Sequence, residues 1–298
     1  MLPVNEKIKN LIYEYENPKR IALSIKYPKL KPIIVSLRRS HNFIKNNLNF
    51  DIKTLRSDSY FPCVVARHQS VLRRKLWESD PKLQENKVTN IEKAIKNLDG
   101  IIIPPGKIFS FWDLVWKPTY KKWYLDGMLL SNGQVIEWVG WWLCQLSNFL
   151  YWIFLHTPVE IIERYHHSLD VFPDSGRILP FWSGATISYN MIDLKIKNTS
   201  EFPLQIKIFL TNNHLKWQIL SPKPLKEKYH IIEKNHFFIK RWEKYFRYNE
   251  LFREEKIEWV ITNEAFLTSN FAPVLYKFSP EYLEKNHFEL LDYSDEKI

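Results

Sequence analysis

"CQLSNFLYWIFLHTPVEIIERYHHS", residues 144–168, decides how this chain is read. From Gln145 to His156 there is neither Gly nor Pro, and Phe149 to Leu155 is an unbroken aromatic and aliphatic run, so the segment reads as a buried helix. Thr157-Pro158 stops it, because a proline pushes the preceding residue out of the helical region. Val159 to Tyr165 follows as a strand. Cys144 then sits at the start of the helix, where unpaired N–H groups and the helix dipole favour a thiolate, the reactive form of cysteine. The strand delivers Arg164, Tyr165, His166, His167 and Ser168, and Asp193 comes after it. A Cys, a His base and an orienting carboxylate thus occur in that order on helix, strand and strand. Adjacent strand residues face opposite ways, so only one of His166 and His167 can meet Cys144. Arg164 and Arg177 are candidates to hold a substrate carboxylate through paired hydrogen bonds. Against that stands a solvated arginine, or one paired with Glu163 or Asp174. The bland reading of Cys144 is an inert core thiol.

Upstream, the pattern is helical from His68 to Asp99 with a break at Asp80-Pro81, and Gly100 is its C-terminal stop. Ile101 to Ile103 reads as a strand running into the Pro104-Pro105-Gly106 turn, and Asn132-Gly133 as a hairpin turn. Downstream, Leu194 and Ile196, then Leu204 to Leu210, then Leu215 to Ile219 alternate as an antiparallel meander turning at Asn212-Asn213. Residues 1–60 form a basic, partly helical N-terminal extension, and residues 61–298 carry the main domain, with its motif-rich core at 104–221. The fold class expected is α+β: a single mixed domain with a central helix carrying the cysteine at its N-terminus. The tail, Tyr245 to Phe252 and Glu258 to Leu267, is polar-aromatic and yields no clear pattern.

The 43 Lys and Arg exceed the 33 Asp and Glu by ten, which favours anionic partners such as an envelope surface. Aromatics lie among basic residues at Arg241 to Arg253, but no nucleic-acid-binding motif frames them, so no specific nucleic acid is expected. Two cysteines are too few for a disulfide framework, and no Cys/His spacing marks a metal site; no cofactor is expected. The first twenty residues carry charges where a signal peptide needs an apolar run, and no uncharged apolar stretch reaches spanning length. The expectation is a cytoplasmic or peripherally envelope-associated protein.

The glycine count is anomalous. At the usual share the chain would hold about 21 glycines, and it has 7, against 12 tryptophans.

Several stretches make the chain familiar: "HQSVLRRKL", "LQENKVTNIEKAIKNLDGIIIPPGKIFSFW", "CQLSNFLYW", "LHTPVEIIERYHHSLDVFPDSGR" and "NFAPVLY". In that order, over roughly His68 to Pro273, they resemble the founding branch of the VanW family, named from an accessory protein of vancomycin-resistance clusters. The family's Gly-Gly-Gly-x-Cys-Gln run falls on Gly140, Trp141, Trp142, Leu143, Cys144 and Gln145, and its downstream His-Ser pair on His167 and Ser168. Some family domains are understood to act as L,D-transpeptidases through a cysteine acyl-enzyme. The resemblance therefore implies Cys144 as nucleophile and His167 as base, with the motif residues Gly140, Gln145 and Ser168 joining Arg164 and Arg177 at the substrate, and peptidoglycan or its precursors as partner. Asp193 as orienter rests on chain order alone. The alternative is a non-catalytic envelope-associated binding or accessory protein.

Where the family pattern carries glycine, this chain carries Trp77, Trp116, Trp123, Trp138, Trp141, Trp142, Trp182 and Trp217, while Trp112 and Trp152 look native to the branch. One event accounts for all eight: UGA codons used for glycine and translated as Trp. The rival reading is a degenerate site plugged by Trp141 and Trp142.

Overall fold

The computed structural model describes residues 2–18, 23–73, 81–131, 134–139, 143–166, 169–170 and 179–296. Its helices are α1 (Val4–Glu16), α2 (Leu23–Lys26), α3 (Lys31–Asn47), α4 (Pro81–Leu98), α5 (Phe111–Val115), α6 (Leu143–Leu155) and α7 (Pro280–Lys285). The strands of the first half are β1 (Leu55–Arg56), β2 (Cys63–Val71), β3 (Ile101–Ile103), β4 (Ile108–Ser110), β5 (Asp126–Ser131), β6 (Gln134–Val139) and β7 (Val159–Glu163). Those of the second half are β8 (Lys195–Asn198), β9 (Leu204–Leu210), β10 (His214–Ser221), β11 (Glu227–Arg241), β12 (Lys244–Ile257), β13 (Val260–Pro273) and β14 (Glu289–Asp292). The architecture is α+β, with a five-stranded sheet (β1-β3-β9-β10-β2), a four-stranded sheet (β13-β12-β11-β14), a three-stranded sheet (β4-β8-β7) and the β5-β6 hairpin.

Beyond its first turns α6 is apolar all round, and a helix of that kind is stable only when surrounded. Ten of its thirteen residues are buried, and it packs against β2, β10, β11 and α4. Its polar groups are satisfied internally: Ser147 Oγ donates to Ala185 O at 2.6 Å, and Asn148 Oδ1 accepts from Ala185 N at 2.8 Å. The helix ends as its sequence dictates, with Thr157 Oγ1 donating to Phe154 O at 2.7 Å just before Pro158.

Two sequence expectations need correction. His68 to Val71 is not helical but the end of β2, whose residues pair antiparallel with β10, His68 opposite Trp217. Ser70 and Leu72 point inward while Gln69 and Val71 are exposed; this alternation is a strand's period, too short to stand out beside the helical pattern of α4. The expected meander is also split. β9 and β10 form a hairpin, but β8 pairs with β4 and β7. The switch occurs at Asn198, whose side chain donates to Ile103 O and Phe202 O, both at 2.8 Å, and so redirects the chain between sheets. The hairpin of β5 and β6 forms around residues 132 and 133, which lie outside the described residues.

The C-terminal third is a sheet of three long antiparallel strands with β14 added in parallel. α1 docks on it, burying Ile8 and Ile12 among Ile239, Phe246, Tyr248 and Tyr293. Lys7 reaches the buried Glu250 at 2.5 Å. The sheet is tied to the motif region by Arg247, which is 1% exposed: its Nη1 lies 3.5 Å from Asp170 Oδ2, and Phe181, Phe238 and Phe288 surround its guanidinium. Tyr276 donates to the same Asp170 oxygen at 3.0 Å.

Turns carry an unusual residue. Nine described non-glycine residues have positive φ, and five of them are tryptophan. Trp116 caps α5 at φ 61°, ψ 179°, a region that is essentially glycine's alone. Trp123 closes a short 3-10 turn (Tyr120–Lys122) in the left-handed conformation. Trp182, at φ 54°, is the third residue of the turn closed by Ser183 N and Pro180 O, the type II position that demands glycine. Trp242 is first in the two-residue β11–β12 loop, a type II′ place. Trp259 is second in the β12–β13 loop, where Glu258 is also at positive φ, a type I′ place. A bulky side chain in these conformations costs roughly 1 kcal/mol or more relative to glycine. Trp259→Gly, at a turn where the indole is 87% exposed, should therefore stabilise the fold by about 1 kcal/mol, read as a raised urea midpoint. An unchanged or lowered midpoint contradicts this account of the turn.

Candidate functional site

Cys144 is the second residue of the α6 span and is partly exposed. Its Sγ lies 3.9 Å from Thr186 Oγ1, and the backbone N–H of Ile187 also hydrogen-bonds it. Both come from the 182–187 segment, which α6 holds in place through Ser147 and Asn148. Gly184 lies so close to α6 that a Cβ there would stand 2.4 Å from Asn148 Oδ1, so only glycine fits. Burial pushes the Cys144 thiol up, and the bonds from Ile187 and Thr186 offset this only in part. The thiolate expected from the helix terminus is therefore outweighed by desolvation among the groups described.

The remaining expected site residues divide three ways. Gln145 turns back onto β2, its Nε2 donating to Ser70 Oγ and Val71 O, both at 3.2 Å. Arg164 is committed to the same segment as the cysteine: Nε donates to Gly184 O at 2.9 Å and Nη2 to Trp182 O. Its guanidinium lies over the Tyr151 ring at 5.0 Å. These bonds make Arg164 a brace for the 182–184 backbone, and its burial lowers its pKa. Gly140, His167, Ser168 and Arg177 lie outside the described residues, as do Trp77, Trp141 and Trp142. His166 is exposed, with its ring stacked on Trp182 at 4.3 Å.

Asp193 does a structural task in this arrangement. It is 4% exposed; Ser110 Oγ donates to its Oδ2 at 2.6 Å, and Trp112 N and Leu194 N donate to its Oδ1 at 3.1 and 2.8 Å. It thereby fastens the start of α5 to the segment leading into β8. Burial pushes its carboxyl up to about 6, against the opposing pull of Ser110, Lys195 and Trp112.

Thr186, Ile187 and Gly184 were not singled out as site residues from the sequence. The signal was present in "SGAT", residues 183–186, but a Thr and a backbone N–H carry no chemistry until the fold sets them against a thiol. Among the described residues no group of His, Cys, Asp and Glu could hold a metal ion, and no helix is long and apolar enough to cross a membrane.

Residues 86–220 match a family described as VanW like protein. The chain is 39% identical over 148 residues to the Vancomycin B-type resistance protein VanW of Enterococcus faecalis, a match that covers 50% of this chain and 54% of that protein. It is 29% identical over 119 residues to the Uncharacterized protein YoaR of Bacillus subtilis, covering 40% of this chain and 37% of that one. The chain thus spans about half the length of the first relative and just over a third of the second. No solved structure matches.

The raised carboxyl of Asp193 has a definite pH consequence. With its folded pKa at about 6 against an ordinary 3.8, its contribution to stability is complete below about pH 4 and is lost as pH rises through about 6. Two units correspond to an upper bound of about 3 kcal/mol. Asp193→Asn keeps an acceptor for Trp112 and Leu194 and should flatten this part of the profile, seen by comparing urea midpoints at pH 4 and pH 7. An equal pH dependence in the variant contradicts the assignment.

Proposed function

We propose, from the premise that residues 86–220 make this chain a member of the VanW family, that it performs cysteine acyl transfer on peptidoglycan-type peptides. A relative named as a vancomycin resistance protein supports this reading; the cell-envelope setting and the reaction are part of our proposal. The observation that carries it is the pair of polar partners at Cys144 Sγ: the Ile187 N–H donates to it, and Thr186 Oγ1 lies 3.9 Å away. An inert core thiol needs no such partners, whereas a nucleophile is activated by groups that stabilise its anion. In the reaction Cys144 attacks the carbonyl of a stem-peptide amide, and His167 takes the thiol proton and returns it to the departing amine. Backbone N–H groups of residues 140–142 receive the developing oxyanion. Gln145 and Ser168 line the substrate, Arg177 takes its carboxylate, and Arg164 holds the 182–184 wall in position. Asp193 is retained as the orienter of His167 only if its present bonds to Ser110 and Trp112 are exchanged.

The raised thiol pKa favours a second reading: an envelope-associated binding protein that uses its +10 charge to hold an anionic partner. Labelling with iodoacetamide at neutral pH separates the two. The catalytic reading expects Cys144 to react roughly tenfold or more faster than Cys63 despite its burial, because a positioned base takes the thiol proton. Equal or slower labelling of Cys144, together with salt-sensitive binding to teichoic-acid polymer that Cys144→Ala leaves unchanged, would sink the catalytic reading.

A further inference from the structure

We infer that residues 116, 123, 182, 242 and 259 are glycine in the protein as its own organism makes it. The argument needs no family pattern. Each of the five sits at a backbone position with φ between 52° and 72°, and each belongs to a different turn whose geometry calls for glycine at that place: two helix ends, a type II turn and two hairpin loops. The two hairpin positions, Trp242 and Trp259, are not among the eight that the sequence resemblance had marked as glycine. Non-glycine residues at positive φ are uncommon, and those that occur are mostly Asn, Asp and His. Asn190, Asn235 and His287 fit that habit. Tryptophan has no short polar group to stabilise the left-handed conformation, yet it supplies five of the nine cases from only 12 residues of 298.

The other tryptophans behave differently. Trp112 is buried with its indole N–H donating to Ile192 O at 2.9 Å, and Trp152 is a core residue of α6; neither has positive φ. Trp217 and Trp138 are strand residues, so backbone conformation makes no demand for glycine there, although the buried Nε1 of Trp217 has no partner. One cause fits this division: UGA codons decoded as glycine in the organism and written as tryptophan in the printed chain, alongside UGG codons that are genuine tryptophan. For the site the consequence falls at 182. Glycine there removes the indole stacked on His166 and Phe181 and leaves the Trp182 carbonyl that Arg164 holds, so the wall beside Cys144 keeps its backbone and gains open space.

Peptide mass spectrometry of the protein purified from its own organism tests this with an internal control. The tryptic peptide 108–121 contains both Trp112 and Trp116, since the Lys117-Pro118 bond resists trypsin. We expect it to be lighter by one Trp-to-Gly difference, with fragment ions placing glycine at 116 and tryptophan at 112. Tryptophan at 116 overturns the inference. Independently, a recombinant chain with all five positions changed to glycine should melt at a higher temperature than the printed chain, whereas Trp112→Gly should melt lower. A five-glycine chain that melts lower than the printed one also overturns it.

Discussion

From Phe149 to Leu155 every residue of α6 is buried, and the arrangement around the helix follows from that constraint. A helix so apolar must be surrounded by sheet and helix, which fixes it at the centre of the main core with β2 and β10 against it. Burial also obliges its few polar side chains to find partners inside the protein. Ser147 and Asn148 find theirs on Ala185, and that choice brings the 182–187 segment across the start of the helix. The same bonds set Thr186 and Ile187 beside the cysteine. Arg164, reaching over Tyr151 to Gly184 and Trp182, secures the segment from the other side.

A second core serves the last third of the chain. There α1, far away in sequence, closes the inner face of the C-terminal sheet. Arg247 and Asp170 join this sheet to the motif region through a buried ion pair wrapped in aromatic rings. Breaking one member of such a pair leaves an uncompensated charge in the interior, so these two residues tie the sheet to the site's surroundings.

Much of this was legible in the residues, and what was not has physical causes. α6, its stop at Thr157-Pro158, β7 and the Gly100 stop were readable because each depends on local pattern or a single backbone rule. The His68–Val71 end of β2 reads as helical because its alternation is too short to stand out from the adjoining helical pattern until its partner β10 is known. β8 was assigned to the wrong sheet because Asn198, not the alternation, decides where the chain goes next. The long strands β11 to β13 went unread for a related reason: the two turn positions that would have announced hairpins, 242 and 259, carry tryptophan in place of the expected turn residue. At the site, Cys144 and Gln145 were visible as residue types, while Thr186 and Ile187 became meaningful only through contact. Asp193, chosen by chain order, turned out to be occupied with Ser110, Trp112 and Leu194.

Acyl transfer by this chain requires Cys144 to form a covalent intermediate. The most direct measurement is acid-quenched mass spectrometry of the protein from its own organism after brief incubation with a peptidoglycan stem tetrapeptide. An acyl adduct on the peptide containing Cys144, absent from Cys63 and lost in Cys144→Ala, is the result this account predicts. A cysteine that stays unmodified while the peptide binds or is ignored would contradict it.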